Sequence, residues 1–296
     1  MPGTGPPDGE EDDMAIKVEH LNHIYSPGQP HEHKALEDVS FTVADGTFAG
    51  LIGHTGSGKS TLLQLLNGLL KPTSGSIFIG DADITRPGVS MLKIRRKTGL
   101  VFQYPEYQLF EETVALDVAF GPENLGLAPE EVDARVREAI ALVGLDYDEV
   151  KNASPFTLSG GQKRRVAIAG VIAMKPEILI LDEPTAGLNP QAHEEILDMI
   201  CRIHEETKNI TLLVSHNMND IARLADQVLV LDGGRLVMDG TPEEVFARGD
   251  ELERIGLARP DALRITGQLR RSGIFVEGSP LTLEEAADLI AKAVAP

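Results

Sequence analysis

The stretch that decides the fold is residues 53–61, which read Gly53-His54-Thr55-Gly56-Ser57-Gly58-Lys59-Ser60-Thr61. A glycine, four residues and then Gly-Lys-Ser is the spacing of a P-loop, whose glycines let the backbone curl until successive N–H groups converge on phosphate. Residues 48–52 before it are apolar and predict a buried strand. Residues 61–66 after it predict a helix, whose N-terminus carries partial positive charge toward the phosphates. This order predicts a nucleotide-binding site.

Two side chains of the loop have separate predicted roles. Lys59 can reach the outer phosphates, and the Ser60 hydroxyl can hold Mg²⁺. We expect His54 to contribute only its backbone N–H. The whole loop is predicted to bind the nucleotide, through Gly53, His54, Thr55, Gly56, Ser57, Gly58, Lys59, Ser60 and Thr61.

An acidic pair follows a second apolar run. Within residues 177–183, positions 178–181 are aliphatic and are followed by Asp182 and Glu183, as is typical of a parallel strand buried on both faces. Ligands lie at the carboxyl ends of such strands. Asp182 is predicted to bind Mg²⁺, directly or through water, and Glu183 to polarise the attacking water as general base. The alternative is a strand end with solvated acids; the P-loop favours the ATPase interpretation.

Two further side chains follow predicted strands. Gln103 comes after residues 99–102 and offers an amide to Mg²⁺ or to the attacking water. His216 follows residues 210–214, so its imidazole is expected to hydrogen-bond the γ-phosphate and to orient Glu183. Each could be merely structural on its own. Together with the P-loop and the acidic pair, both are predicted to be catalytic.

A third motif precedes a helix predicted over residues 163–174. The segment Leu-Ser-Gly-Gly-Gln places Ser159, Gly160, Gly161 and Gln162 at a helix N-terminus, where anions bind. Within one subunit this segment has no obvious target, because the P-loop helix already faces the phosphates. Its chemistry makes sense if it contacts the γ-phosphate held by a second copy. ATP would then join two subunits.

With this motif the chain resembles the ATP-binding cassette (ABC) ATPases, over residues 16 to about 246 and with all motifs in the family's order. The resemblance implies the α/β P-loop NTPase fold of ABC ATPases, with a mostly parallel core sheet, an antiparallel β subdomain, an inserted α-helical subdomain and a small C-terminal helical extension. It also implies that Tyr25 stacks on adenine, although a tyrosine packed on a strand edge is the alternative. Asn189 stands where the family usually has Asp. The resemblance therefore does not predict whether the two paired sites communicate through this residue.

Residues 104–114 and 117–124 are similar to the ATPases of energy-coupling factor (ECF) transporters. That resemblance implies an ATPase coupled to transmembrane transport, paired with the same chain or a paralogue. It also implies a transmembrane scaffold subunit, a substrate-binding membrane subunit, uptake of vitamins or transition-metal ions, and a peripheral position on the cytoplasmic face of the cell membrane. The alternatives are the ATPase of an ordinary ABC importer or a non-transport ABC ATPase. The transported substrate cannot be read from this chain.

The aromatic stretch after Gln103 has two interpretations. Tyr104, Tyr107, Leu109 and Phe110 could be exposed and form a groove for a partner's cytoplasmic helix. They could instead fill the core of the helical subdomain.

Composition narrows the function classes. The 296 residues carry a formal net charge of −19, which opposes nonspecific binding to nucleic acid. No stretch approaches the about 18–20 apolar residues that span a bilayer, and the start resembles no secretory signal. Cys201 is the single cysteine, which excludes a disulfide framework and indicates a reducing cytosol.

The domain organisation is predicted from these patterns. Residues 1–13 are expected to form a disordered acidic tail, residues 14–246 the ATPase domain with a helical subdomain at about 105–175, and residues 247–296 a C-terminal helical extension. Thr282 and Glu285 have capping-box spacing before one of its helices. Four histidines near the start are interpreted as a solvated loop in preference to a metal site, namely His20, His23, His31 and His33.

Overall fold

The structure is a computed structural model that describes residues 15–294. The predicted acidic tail of residues 1–13 lies outside the described residues. In chain order the strands are β1 (Ile16–Tyr25), β2 (His33–Val43), β3 (Phe48–Ile52), β4 (Ser74–Ile79), β5 (Ala82–Asp83), β6 (Thr98–Val101), β7 (Ile178–Asp182), β8 (Ile210–Val214), β9 (Gln227–Asp232) and β10 (Arg235–Gly240).

The helices are α1 (Lys59–Leu66), α2 (Met91–Lys97), α3 (Val114–Asn124), α4 (Pro129–Leu142), α5 (Tyr147–Val150), α6 (Gly160–Ile172), α7 (Pro190–Thr207), α8 (Met218–Leu224), α9 (Pro242–Ala247), α10 (Gly249–Arg254), α11 (Asp261–Arg271) and α12 (Leu283–Val294). Short 3₁₀ turns occupy Pro105–Gln108 and Pro155–Thr157. None of the helices within residues 15–294 is both long and apolar enough to cross a bilayer.

The strands form two sheets. The core sheet has the order β10-β9-β3-β8-β7-β6, and its strands from β9 to β6 run parallel. Strand β10 joins it antiparallel to β9. The second sheet is antiparallel, with the order β2-β1-β4-β5. The sequence-based expectation of a mostly parallel core and an antiparallel β part is therefore confirmed.

Alternation along the parallel strands divides the core between two apolar clusters. In β7, Ile178 and Ile180 belong to the cluster shared with α1 and the antiparallel sheet. Leu179 and Leu181 belong to the opposite cluster, which includes α3, α4, α6 and α7. Both faces of the strand are buried because side chains of successive residues point to opposite sides. Burial on both faces explains the continuous aliphatic runs in the sequence.

Helix boundaries follow their caps. Helix α6 begins at Gly160, three residues before the predicted start, because Ser159 and Gln162 form a capping box. The predicted capping box of Thr282 and Glu285 is present, with the Glu285 backbone N–H donating to Thr282 Oγ1 at 3.2 Å. Helices α11 and α12 lie within the residues predicted to form a C-terminal helical extension. Because β3, β6, β7 and β8 are parallel, their carboxyl ends lie at one edge of the core sheet.

Candidate nucleotide and phosphate site

The loop between β3 and α1 requires two of its glycines for close backbone approach. A Cβ on Gly53 would lie 2.4 Å from the Leu231 carbonyl oxygen, and one on Gly58 would lie 2.7 Å from the Ala35 carbonyl oxygen. Gly58 also has φ +104°, in the left-handed region. The loop therefore curls against β2 and β9 in a way that larger residues cannot reproduce.

The loop borders a cavity of about 440 Å³. Most of the predicted site residues meet there, together with two that were not predicted, His33 and Ala35. His33 stands opposite Tyr25 in the β1–β2 register, a pairing that no motif in the sequence marks. The lining consists of Tyr25, His33, Ala35, Thr55, Gly56, Gly58, Lys59, Ser60, Thr61, Gln103, Asp182, Glu183 and His216.

Lys59 is the lysine of this cavity and is only 7% exposed. Its Nζ donates hydrogen bonds to the carbonyl oxygens of Gly53 at 2.6 Å and His54 at 3.1 Å. Burial lowers the pKa of Lys59, while the charges of Glu183 and Asp182 oppose that change. A buried ammonium group beside backbone N–H groups is suited to bind phosphate oxygens.

The acidic pair lies at the carboxyl end of β7. Burial and the neighbouring charge of Glu183 raise the pKa of the Asp182 carboxyl, and Lys59 and His216 act in the opposite direction. The cavity thus places one lysine against two carboxylates. A polyphosphate would meet net repulsion from them unless a divalent cation accompanied it. Ser60, Gln103 and Asp182 line the same cavity and supply the oxygen ligands that Mg²⁺ prefers, so the residues present fit a magnesium–nucleotide complex.

The Glu183 carboxylate is held on both of its oxygens. His216 Nε2 lies 2.6 Å from Glu183 Oε1, and Gln103 Nε2 donates to Glu183 Oε2 at 3.3 Å. The Glu183 backbone has φ +49°, and its N–H donates to the Val214 carbonyl at 3.1 Å. A left-handed conformation is costly for a residue with a side chain, and such strain concentrates at functional sites. Of the three residues predicted to be catalytic, Gln103 and His216 therefore each contact Glu183.

Tyr25 also lines the cavity. Its hydroxyl is 3.2 Å from Thr61 Oγ1, and its ring is 37% exposed. The edge of the His23 ring packs on it, with centroids 4.6 Å apart. The tyrosine is thus fixed at its tip and side while part of its ring stays accessible.

The histidines near the start differ from the predicted solvated loop. His20 and His23 lie within β1, and His33 opens β2. His23 is buried, with Nδ1 3.0 Å from the Lys71 carbonyl oxygen, because the alternation of β1 directs it inward. The solvated-loop prediction is wrong for this residue. No grouping of three or more candidate ligands for a metal ion occurs in the part of the chain that the structure describes.

His54 has a side-chain role that the sequence did not indicate. Its Nε2 lies 2.9 Å from Asp232 Oδ1 at the end of β9, and its Nδ1 lies 2.6 Å from the Thr55 carbonyl oxygen. The imidazole therefore ties the loop to the neighbouring strand and is absent from the cavity lining. Nucleotide contact through its backbone stays a prediction.

The Ser159–Gln162 segment lies apart from this cavity, whose described lining includes none of its residues. Ser159 caps α6, and a Cβ on Gly160 or Gly161 would meet nothing within 4 Å. The fold of the chain therefore does not require glycine at either position. Asn189 caps α7 through its side-chain oxygen, which accepts from the Ala192 backbone N–H at 2.9 Å.

The aromatic stretch after Gln103 is mostly exposed. Tyr104, Tyr107 and Phe110 are 40%, 84% and 56% exposed, respectively, whereas Leu109 is 6% exposed and packs in the helical core. The predicted exposure is wrong for Leu109, because its side chain belongs to the apolar cluster that includes residues of α3 and α6. Both interpretations of this stretch therefore apply, each to different residues.

A P-loop on a mostly parallel sheet, an acidic pair on β7 and an inserted helical part define an ABC-type ATPase. A family model described as ABC transporter matches residues 36–186. The energy-coupling factor transporter ATP-binding protein EcfA2 of Caldanaerobacter subterraneus is 56% identical over 277 residues, 94% of this chain and 96% of that protein. The protein of the same name from Clostridium acetobutylicum is 55% identical over 273 residues, 92% of this chain and 96% of that one.

Two solved structures are similar across the fold. The structure of cbiO1 from Clostridium perfringens, described as part of the ABC transporter complex cbiONQ, has a TM-score of 0.73 and 36% identity, covering 88% of this chain and 99% of that one. The ATP-binding cassette MJ0796, described as a dimer bound to ADP and phosphate in a post-hydrolysis state, has a TM-score of 0.67 and 29% identity, covering 77% and 98%.

The chain belongs to the ABC transporter family and, within it, to the ATP-binding proteins of energy-coupling factor transporters. This membership confirms the predicted fold class and the predicted ECF-type ATP-binding subunit. It disfavours the ordinary importer ATPase and the non-transport ATPase as alternatives.

Proposed function

We propose that the chain works as one half of an ATP-driven clamp beneath a membrane transporter. Mg-ATP would bind in the cavity of one cassette and be covered by the Ser159–Gln162 segment of a second cassette, a copy of this chain or a paralogue. Closure would move a transmembrane scaffold subunit, and hydrolysis would let the clamp reopen. A substrate-binding membrane subunit would select the cargo, a vitamin or a transition-metal ion.

One observation carries this proposal: the open space around Gly160 and Gly161. Glycine is a poorer helix former than alanine, by about 1 kcal/mol in a helix interior, and nothing in this chain lies close enough to Gly160 or Gly161 to require it. A second molecule that approaches the backbone closely supplies a reason. The N–H groups at the start of α6 then meet an anion, and the similar cassette MJ0796 is described as dimeric with ADP and phosphate.

The residues around the cavity support hydrolysis. Mg²⁺, held by Ser60, Asp182 and Gln103, would neutralise the charge of the phosphates. Glu183 would accept the proton of the attacking water, since a carboxylate positioned by two neighbours can act as general base. His216, which orients Glu183, would hydrogen-bond the γ-phosphate, and the Tyr25 ring would stack on adenine.

The surface beside the helical part supports a scaffold contact. A cavity of about 330 Å³ is lined mainly by apolar side chains from α2, α3, α6 and the turn after Gln103. Phe110 and Phe120 pack edge to face there, with centroids 4.8 Å apart, and both are about half exposed. We assign it to an amphipathic cytoplasmic helix of the scaffold. The chain would then lie on the cytoplasmic face of the membrane, bound through its partner.

Engineered disulfides test the clamp directly. In a Cys201→Ser background, which removes the single cysteine, Thr55→Cys and Ser159→Cys are placed on opposite cassettes. Mg-ATP is expected to promote a crosslink across the pair, and either substitution alone should give none. Absence of the crosslink under nucleotide saturation, with the natural partner cassette supplied, would argue against the sandwich.

A further inference from the structure

Arg164 is the largest fully buried side chain of the described residues and is 1% exposed. It lies in α6, five residues after Ser159, and next to Arg165, which the sequence does not distinguish from it. A buried guanidinium is tolerated only when its donors are paired. Its partners therefore show what the arginine does.

The guanidinium donates four hydrogen bonds, which go to two separate segments of the chain. Nε and Nη2 donate to the two carboxylate oxygens of Glu106 at 3.0 and 2.8 Å. Nη1 donates to the carbonyl oxygens of Pro184 and Ala186, each at 2.9 Å. Only a planar, forked cation can make the bidentate pair and the two carbonyl contacts together.

The partners belong to the two segments that carry the catalytic groups. Glu106 lies three residues after Gln103, and Pro184 follows Glu183 directly. Gln103 and Glu183 themselves touch at 3.3 Å. Arg164 thus connects the segments that carry this pair and does not itself line the cavity.

Both segments also turn through strained backbone at these positions. Tyr104 has φ +56° and Glu183 has φ +49°. Such conformations persist only where surrounding contacts determine them. The guanidinium contacts each segment within two residues of its strained position, and it is carried by the same helix that begins at the Ser159–Gln162 segment.

We propose, on the basis of the clamp described above, that Arg164 is a positioning residue. It couples the catalytic groups of one cavity to the segment that covers the cavity of the other cassette. It joins the turn at Pro105–Gln108 to residues 184–186, so that Gln103, Glu183 and the start of α6 move as one unit. Nucleotide bound at one cavity thereby sets the position of the segment that covers the other. Lysine at this position cannot do the same, because it lacks the fork.

Steady-state kinetics of the full chain with its partner subunits test the coupling. Glu106→Gln and Arg164→Lys are expected to lower kcat about tenfold while KM for ATP stays within about twofold. The matched control is Glu195→Gln, which breaks the Arg165–Glu195 pair at 2.9 Å between α6 and α7 and touches neither catalytic segment. Its kcat should stay within about twofold of the unmodified chain.

A fluorescence probe gives a second readout on the single chain. The chain has no tryptophan, so Tyr107→Trp places one fluorophore on the turn, where residue 107 is exposed. ATP is expected to shift its emission, and Arg164→Lys or Glu106→Gln should reduce that shift by more than half at saturating ATP. Glu195→Gln should leave it intact.

The proposal would be overturned if Arg164→Lys and Glu106→Gln showed the same kcat and the same emission shift as Glu195→Gln and the unmodified chain. The proposal would also be overturned if these variants lost ATP affinity in proportion to their loss of Tm while kcat per bound nucleotide stayed unchanged. Arg164 would then serve folding alone. Failure of the clamp itself would appear in the chain without these substitutions, as no ATP-dependent pairing. The fluorescence comparison decides the role of Arg164 in either case, since it needs only ATP binding.

Discussion

Lys59, Asp182 and Glu183 share a cavity in which one positive charge faces two negative ones. Burial disfavours the charged form of both Lys59 and Asp182. Holding these groups in the cavity therefore lowers the free energy of unfolding, and a bound magnesium–nucleotide complex would offset that loss. Such trade-offs between stability and activity are common at catalytic sites.

Replacing Asp182 with Asn is expected to raise the Tm of the nucleotide-free chain at neutral pH. Burial and Glu183 raise the pKa of this carboxyl in the folded state above its ordinary value of 3.8, so the folded state binds more protons than the unfolded state between the two pKa values. The stability contributed by this group therefore falls as pH rises through that window. The advantage of the amide should shrink toward about pH 4.

Thermal unfolding in EDTA across a pH series measures this difference. The exposed Asp288 is the matched control, and Asp288→Asn should leave the profile unchanged. A lower Tm for Asp182→Asn at neutral pH would contradict the assigned cost.

His216→Ala is expected to lower kcat about 100-fold while KM for ATP changes by less than about threefold. The physical reason is the 2.6 Å contact that orients the Glu183 carboxylate. Phosphate release by the assembled complex measures both constants. His20→Ala, which removes an exposed contact with Asp38, should match the unmodified chain, and an active His216→Ala variant would remove His216 from catalysis.

At the scale of elements, α6 combines a stable start with two glycines that the chain itself does not need. Gly160→Ala should therefore keep or slightly raise the Tm, because alanine favours helix and its Cβ meets nothing within 4 Å. The same methyl group should lower ATPase activity of the paired cassettes by about tenfold or more, since it stands where the partner's phosphate approaches.

Gly267→Ala provides the control for this substitution. Gly267 also lies in a helix with open space around its Cβ position, so alanine there should raise stability and leave ATPase activity unchanged. Equal activity of both variants would mean that no second molecule approaches α6 closely.

The elements also show what a sequence can predict. The parallel strands β3, β7 and β8 were predictable because burial on both faces leaves long aliphatic runs. The P-loop, the acidic pair, Gln103 and His216 were predictable because each follows such a run. Their convergence then follows from the geometry of a parallel sheet.

Contacts between distant segments were not predictable in this way. Arg164 and Arg165 are adjacent in the chain, yet Arg164 is buried among three segments while Arg165 pairs with Glu195 near the surface. The His54–Asp232 contact joins residues 178 positions apart. Nothing local marks such pairs, because only the tertiary fold brings them together. The burial of Leu109 beside the exposed Phe110 was not predictable for the same reason, since it depends on the tertiary packing of the helical part.

At the scale of the whole molecule, an exposed aromatic pair sits beside the ATPase core. Phe120→Ser is expected to weaken co-purification with the transmembrane scaffold several-fold, because it removes apolar area from the lining of the cavity assigned to the scaffold helix. ATP binding and Tm of the chain alone should change little. Phe275→Ser, at a phenylalanine that is 78% exposed elsewhere, should not affect co-purification; undiminished recovery with Phe120→Ser would place the scaffold on another surface.

Pairing of two cassettes around the triphosphate can be measured most directly by mass. Glu183→Gln should slow hydrolysis about 100-fold or more while ATP still binds, so the closed pair should accumulate. Mass photometry of this variant with its partner cassette is expected to show single cassettes without nucleotide and a two-cassette species in saturating Mg-ATP. Single cassettes that bind ATP but never pair under those conditions would contradict the clamp.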